Sequence, residues 1–133
     1  MADERILIVD DDVDLVGALT AALTSAGYRV SSAGNGRVGW EKAQESPPDL
    51  AILDVVMDTV GEGIQLAHRF RNDEKLKSVP IIMLTAVNQK LPLKIGADLD
   101  EGYLPVDQFL EKPVDPGVLL GFIAGLLARR RGR

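Results

Sequence analysis

The sequence predicts an α/β domain in which five short strands form a doubly wound parallel sheet with helices on both faces. Three observations predict it. Apolar runs of four or five residues alternate with segments of helical period, an order that implies parallel strands joined by right-handed crossovers. The first run, Ile6-Leu7-Ile8-Val9, is unbroken and β-branched, as a strand buried on both faces requires. With 133 residues, 46% hydrophobic and 26% charged, the chain has the size and composition of one globular domain.

The elements follow in order. After strand one, Leu15, Leu19, Ala22, Leu23 and Ala26 fall on one face of a helix that stops at Gly27. Residues 28–32 read as strand two and Asn35-Gly36 as a turn. A short helix over 37–45 carries Trp40, read as a packing residue, and Ser46-Pro47-Pro48 closes it. Residues 50–53 form strand three. Residues 64–71 form a helix with Ile64, Ala67 and Phe70 inward, which leaves His68 on the solvated side. Pro80 precedes strand four, 81–84, and Phe109-Leu110 forms a shorter strand five. Pro116 suits the first turn of a last helix that runs to about residue 130. Between them, 87–106 holds Pro92, Pro105, Gly96 and Gly102 and no clear helical face, so a short or irregular fourth helix is expected there. One domain is expected over 1–133, with its core at about 5–129 and a basic tail or linker start at 129–133.

Composition excludes several chemistries. Without cysteine there is no disulfide scaffold, thiolate zinc site or cysteine nucleophile, and His68 alone cannot build a histidine metal cage. A net charge of −5 argues against direct nucleic-acid binding. The start is acidic rather than basic, and the longest apolar stretch, 117–128, is too short to span a bilayer, so a cytoplasmic protein is expected.

Functional groups in doubly wound sheets gather at the carboxyl ends of strands. Asp10 and Asp11 follow strand one, Asp54 follows strand three, Thr85 strand four and Lys112 strand five. With strands one, three, four and five adjacent, these side chains converge on one crevice. Two carboxylates at 4 Å repel by about 4 kcal/mol at an effective dielectric near 20, so either some are protonated or a cation joins them. Oxygen donors without histidine or cysteine favour Mg²⁺. With Lys112 and the Thr85 hydroxyl, the set forms a cradle for a phosphoryl group, and Asp54 is placed to attack it as a nucleophile.

Ile6-Leu7-Ile8-Val9-Asp10-Asp11-Asp12, Asp54, Leu84-Thr85-Ala86 and Lys112-Pro113 together resemble the receiver domain of two-component response regulators, over nearly the whole chain. The resemblance implies strand order 2-1-3-4-5. It implies that Asp54 is the phosphoacceptor, that Asp11 binds Mg²⁺ directly and Asp10 mostly through water, and that the Val56 carbonyl completes the ligands. Thr85 and Lys112 would hold phosphoryl oxygens, and Phe109 would be the aromatic switch. A histidine kinase or phosphotransfer protein would be the donor and a downstream protein the target. Three departures stand out, one being an interval from Thr85 to Lys112 that is longer than usual. Asp58 replaces the usual proline four residues after the phosphoacceptor, and the following loop to Gly63 is one residue longer than usual.

Plainer roles compete. Asp10, Asp11 and Asp12 also suit helix N-caps, Asp12 above all. The domain could be a receiver-like interaction module that is never phosphorylated. A phosphatase with an aspartyl intermediate would need an acid where Val56 stands, so no enzyme is expected. In the last helix, Val118 and Phe122 occupy positions where a solvated helix places charges, and Gly117, Gly121 and Gly125 recur every four residues. Either the stable domain tolerates this helix or it forms a homodimer or partner interface.

Overall fold

In the computed structural model, which describes residues 3–55, 57, 61–86 and 106–131, the chain runs β1 (Arg5–Val9), α1 (Val13–Ser25), β2 (Arg29–Ala33), α2 (Gly36–Glu45), β3 (Leu50–Asp54), α3 (Glu62–Arg71), β4 (Ile81–Ala86), β5 (Gln108–Lys112) and α4 (Pro116–Arg131). The strands pair in parallel in the order β2-β1-β3-β4-β5, the flavodoxin-like arrangement that the receiver motifs imply. The short helix expected between strands four and five falls at 87–105, outside the described residues.

Strand alternation divides the core in two. Leu7, Val9, Leu53 and Met83 face α2 and α3, where Ala43, Ile64, Ala67 and Phe70 cover them. Ile6, Ile8, Ile52 and Leu84 face α1 and α4, under Leu19, Leu23, Leu119 and Ile123. Because the middle strands are covered on both sides, every position must be apolar, and that is the origin of the unbroken runs.

The turns rest on local chemistry. The Asp12 carboxylate accepts from the Leu15 amide at 3.1 Å and caps α1, and the Asn35 side chain does the same for α2 through Val38 at 2.9 Å. After α1, the Gly27 and Tyr28 amides donate back to the carbonyls of Thr24 and Leu23. Gly27 sits at φ 99°, the left-handed conformation that this C-terminal motif demands.

Three strands are longer than their apolar runs. Asp54 and Lys112 are the last residues of β3 and β5, and Thr85 lies inside β4. Main-chain pairing does not depend on the side chain, so the ladder continues through them: Asp54 lies opposite Leu84, and Ala86 opposite Lys112.

At the opposite edge of the sheet, Arg71 ends α3 and clamps the entry to β4 and β5. Its guanidinium donates to the carbonyls of Lys77 (3.2 Å) and Val79 (2.6 Å) and to the Asp107 carboxylate (3.0 Å). Asp107 in turn accepts from the Ile81 amide at 2.8 Å. Burial lowers the Arg71 pKa, and the Asp107 charge and hydrogen bond oppose that shift.

On α4, Leu119, Ile123, Leu126 and Leu127 are buried, whereas Val118 and Phe122 are 49% and 37% exposed. Nothing lies within 4 Å of the positions a β-carbon would take at Gly121 and Gly125. Among the described residues, no helix is long and apolar enough to cross a membrane.

Candidate functional site

Strands β1, β3 and β5 deliver three charged side chains to one crevice at their carboxyl ends. Asp10 and Asp54 are buried, 3% and 2% exposed, because β1 and β3 are central strands covered by helices on both faces. Asp11, one residue beyond Asp10, is exposed. The three carboxylates each offer an oxygen within 4.8 Å of the others. Lys112 lies between the two buried ones, with Nζ 3.0 Å from Asp10 Oδ2 and 3.4 Å from Asp54 Oδ2. The other Asp10 oxygen accepts from the Asp12 amide at 2.9 Å, which fixes the carboxylate's orientation.

Two opposing effects act on Lys112. Burial pulls its pKa down, but hydrogen bonding and charge from Asp10, together with the charge and hydrogen bond of Asp54, outweigh it, and the net shift is upward. The ammonium therefore stays protonated through the neutral range.

One ammonium cannot neutralise three carboxylates. The excess negative charge and a donor set made wholly of oxygen fit a hard divalent cation that accepts one or two carboxylates and keeps several waters. Asp10, Asp11 and Asp54 are thus the residues that would hold such an ion, Asp11 from the exposed side of the crevice and Asp10 and Asp54 from its buried side.

Alternation separates Thr85 from these groups. Asp10, Asp54 and Lys112 share the strand parity of the residues packed against α1 and α4, whereas Thr85 shares that of Met83, on the α3 side. Its hydroxyl donates to the Ala86 carbonyl at 3.4 Å. Phe109, paired with Met83 across β4 and β5, is half-buried against the α3-side core and diagonal to Thr85. Val56 and Asp58, where a main-chain ligand and a replaced proline were expected, fall outside the described residues. His68 is exposed on α3, and Trp40 packs on Phe70 at 6.2 Å between ring centroids.

Sequence reasoning missed several residues around the crevice. Gly63, in the first turn of α3, abuts the Asp54 main chain. Glu62 reaches across to accept from the Gly36 amide at 2.5 Å, which ties the start of α3 to the start of α2. A glycine at a helix start was the available signal for the first. The second joins residues 26 apart in sequence and left none. The Arg69 guanidinium covers the Trp40 ring at 4.1 Å from its centroid, a contact that only helix docking creates.

A doubly wound parallel sheet with three carboxylates and a lysine gathered at its carboxyl edge places the chain in the class of flavodoxin-like α/β domains. The response regulator receiver domain matches residues 6–124. The DNA-binding dual master transcriptional regulator RpaA of Synechocystis is 37% identical over 125 residues, 94% of this chain and 49% of that protein. A CheY-like response regulator receiver domain protein from Methanospirillum hungatei superimposes with a TM-score of 0.83 at 27% identity, covering 98% of both chains. The chemotaxis protein CheY4 of Vibrio cholerae does so with a TM-score of 0.78 at 30% identity, covering 94% of this chain and 99% of its own. The chain belongs to the receiver domain family of two-component response regulators. It spans about half the length of the curated relatives it matches.

Proposed function

We propose that this receiver accepts a phosphoryl group on Asp54 from the phosphohistidine of a histidine kinase or phosphotransfer protein, in the cytoplasm, and signals to a downstream protein by a change of binding surface. The observation that carries the reading is the Lys112 ammonium shared between Asp10 and Asp54, with Asp11 close by. An Asp54 carboxylate oxygen attacks phosphorus, the phosphorus–nitrogen bond breaks, and its electron pair returns to the imidazole, which takes up a proton. Bound Mg²⁺ would supply charge neutralisation for the phosphoryl oxygens. Asp11 would hold it directly, Asp10 chiefly through water, and Asp54 and the Val56 carbonyl would complete the set.

Lys112 would exchange its Asp54 contact for a phosphoryl oxygen and so fix the product's orientation. The Thr85 hydroxyl would leave the Ala86 carbonyl for another phosphoryl oxygen, and Phe109 would turn inward behind it. The signal is stabilised because Thr85 and Lys112 meet the phosphoryl group only in the rearranged state.

Incubation with acetyl phosphate and Mg²⁺, followed by mass spectrometry, tests the reading. One phosphoryl adduct is expected, lost in Asp54→Asn and without Mg²⁺. No adduct, and no beryllofluoride binding, would leave the domain a receiver-like interaction module.

We also propose that the exposed Val118 and Phe122 of α4 meet a second copy of the chain, since the open flank at Gly121 and Gly125 lets another backbone approach. Sedimentation with beryllofluoride should show a dimer that Phe122→Asp dissociates. A monomer unaffected by that change would reject it.

A further inference from the structure

A cavity of about 410 Å³ opens beside the amino ends of β4 and β5, at the edge of the sheet opposite Asp54. The length of β4, about 17 Å for six residues, separates the two sites. Arg71, Lys77, Arg129 and Arg130 line the cavity with Asp107 and Ser78. Four cations against one carboxylate form an unusual concentration in a chain of net charge −5.

Helix termini explain only part of that charge. The C-termini of α3 and α4 point here, and each carries a partial negative charge of about one half, so together they offset about one cation. Internal pairing explains another part. Arg71 is held by Asp107 and two carbonyls, and Arg130 donates to the Asp49 carbonyl at 2.8 Å and pairs with the Asp49 carboxylate at 3.4 Å. Lys77 meets Glu74 at 3.1 Å, but Glu74 is 91% exposed, and such pairs contribute little. Among the described residues, the Arg129 side chain has neither an ion pair nor a hydrogen bond.

We propose that this cavity binds a small polyanion bearing two or more phosphate groups. Guanidinium groups grip phosphate oxygens bidentately, and Arg129, Lys77 and the guanidinium nitrogens that Arg130 does not spend on Asp49 can engage more than one phosphate at once, with the clamped Arg71 adding its charge behind them. The Ser78 hydroxyl adds a neutral donor. The volume lies in the range of small-molecule sites, larger than one inorganic anion needs. Pro80 and Leu126 supply an apolar wall against which an organic portion can rest. Such a ligand would tie the last turns of α3 and α4 to the entry of β4. The proposal does not depend on phosphorylation of Asp54.

The test titrates the full chain, without Mg²⁺ and near 150 mM salt, with inorganic pyrophosphate and separately with ADP; salt at that level screens diffuse attraction. Calorimetry should show saturable one-to-one binding, with amide shifts centred on Ser78, Ile81, Asp107 and Leu126. Arg129→Glu and Lys77→Glu, both at solvent-facing positions, should each weaken it at least tenfold while thermal unfolding stays near that of the parent. ADP binding tighter than pyrophosphate would identify a nucleotide as the occupant, and equal affinity would show that the phosphates alone are read; either upholds the site. No saturation at millimolar ligand, shifts centred on Asp10 and Lys112, or affinity unchanged in both variants would overturn it.

Discussion

A β-carbon built on Gly63 would lie 1.9 Å from the main-chain oxygen of Asp54. The Gly63 amide also donates to the Val55 carbonyl at 3.0 Å, so the first turn of α3 is pressed against the backbone of the proposed phosphoacceptor. Relief would require backbone movement at a central strand, not the swing of a flexible side chain. Gly63→Ala is expected to destabilise the fold by about 1–3 kcal/mol or more. It should also weaken beryllofluoride binding, because Asp54 moves with its carbonyl. A urea midpoint unchanged from the parent would show that α3 can slide away freely.

Lys112 gives a prediction with two readouts. Its side chain is 21% exposed, and its ammonium pairs with both Asp10 and Asp54. Lys112→Met leaves two nearly buried carboxylates facing each other. Removing one partner of a fully buried pair costs about 3–5 kcal/mol, so this partly solvated case should lose about 2–4 kcal/mol without Mg²⁺. Mg²⁺ held by these carboxylates, as proposed, would replace the missing positive charge, so its addition should raise the melting temperature of Lys112→Met more than that of the parent. Equal increments would show that the cation does not share the carboxylates with the lysine.

The legible part of this molecule is the part written locally. Ile6-Leu7-Ile8-Val9 ending in Asp10, and Ala51-Ile52-Leu53 ending in Asp54, announce buried strands whose carboxyl ends carry polar groups, and the doubly wound topology then brings those ends together. Asp12 as the cap of α1 was readable for the same reason, since its partner amide is three residues away. The side of the sheet to which Thr85 points was not readable, because strand four extends two residues past its apolar run and only the register fixes the parity. Glu62 with Gly36, Trp40 with Arg69 and Arg71 with Asp107 were equally hidden. Each joins two elements whose relative docking is decided by the core beneath them.

The Arg71 clamp holds three chain segments with one side chain. Hydrogen bonds to a charged group contribute about 1.5–3 kcal/mol, and Arg71→Met would strand the Val79 carbonyl and Asp107 together. A loss of about 2–3 kcal/mol is expected in urea unfolding. Arg71→Lys should recover less than half of it, since an ammonium cannot reproduce the fork that spans two carbonyls and a carboxylate. Full recovery by lysine would mean that charge alone matters at this edge.

Once Asp54 is phosphorylated as proposed, loss of the phosphoryl group would require a water aligned for attack at phosphorus. In the receiver family, side chains two residues beyond the phosphoacceptor and two beyond the threonine that Thr85 matches can orient that water if they carry hydrogen-bonding groups. Here both are valines, Val56 and Val87, and neither can donate or accept. A valine side chain offers no donor or acceptor to pre-align the nucleophile, so ordering it by these two side chains is lost and the attack carries a larger entropic cost. The phosphorylated receiver is therefore expected to persist for minutes or longer once the donor is removed. Val56→Asn restores an amide that can hold the water, and it should shorten the lifetime several-fold without altering the rate of phosphorylation in proportion. Following the decay by phosphate release in the parent and in Val56→Asn decides the matter. A lifetime of seconds, the same in both, would place control of hydrolysis elsewhere in the crevice.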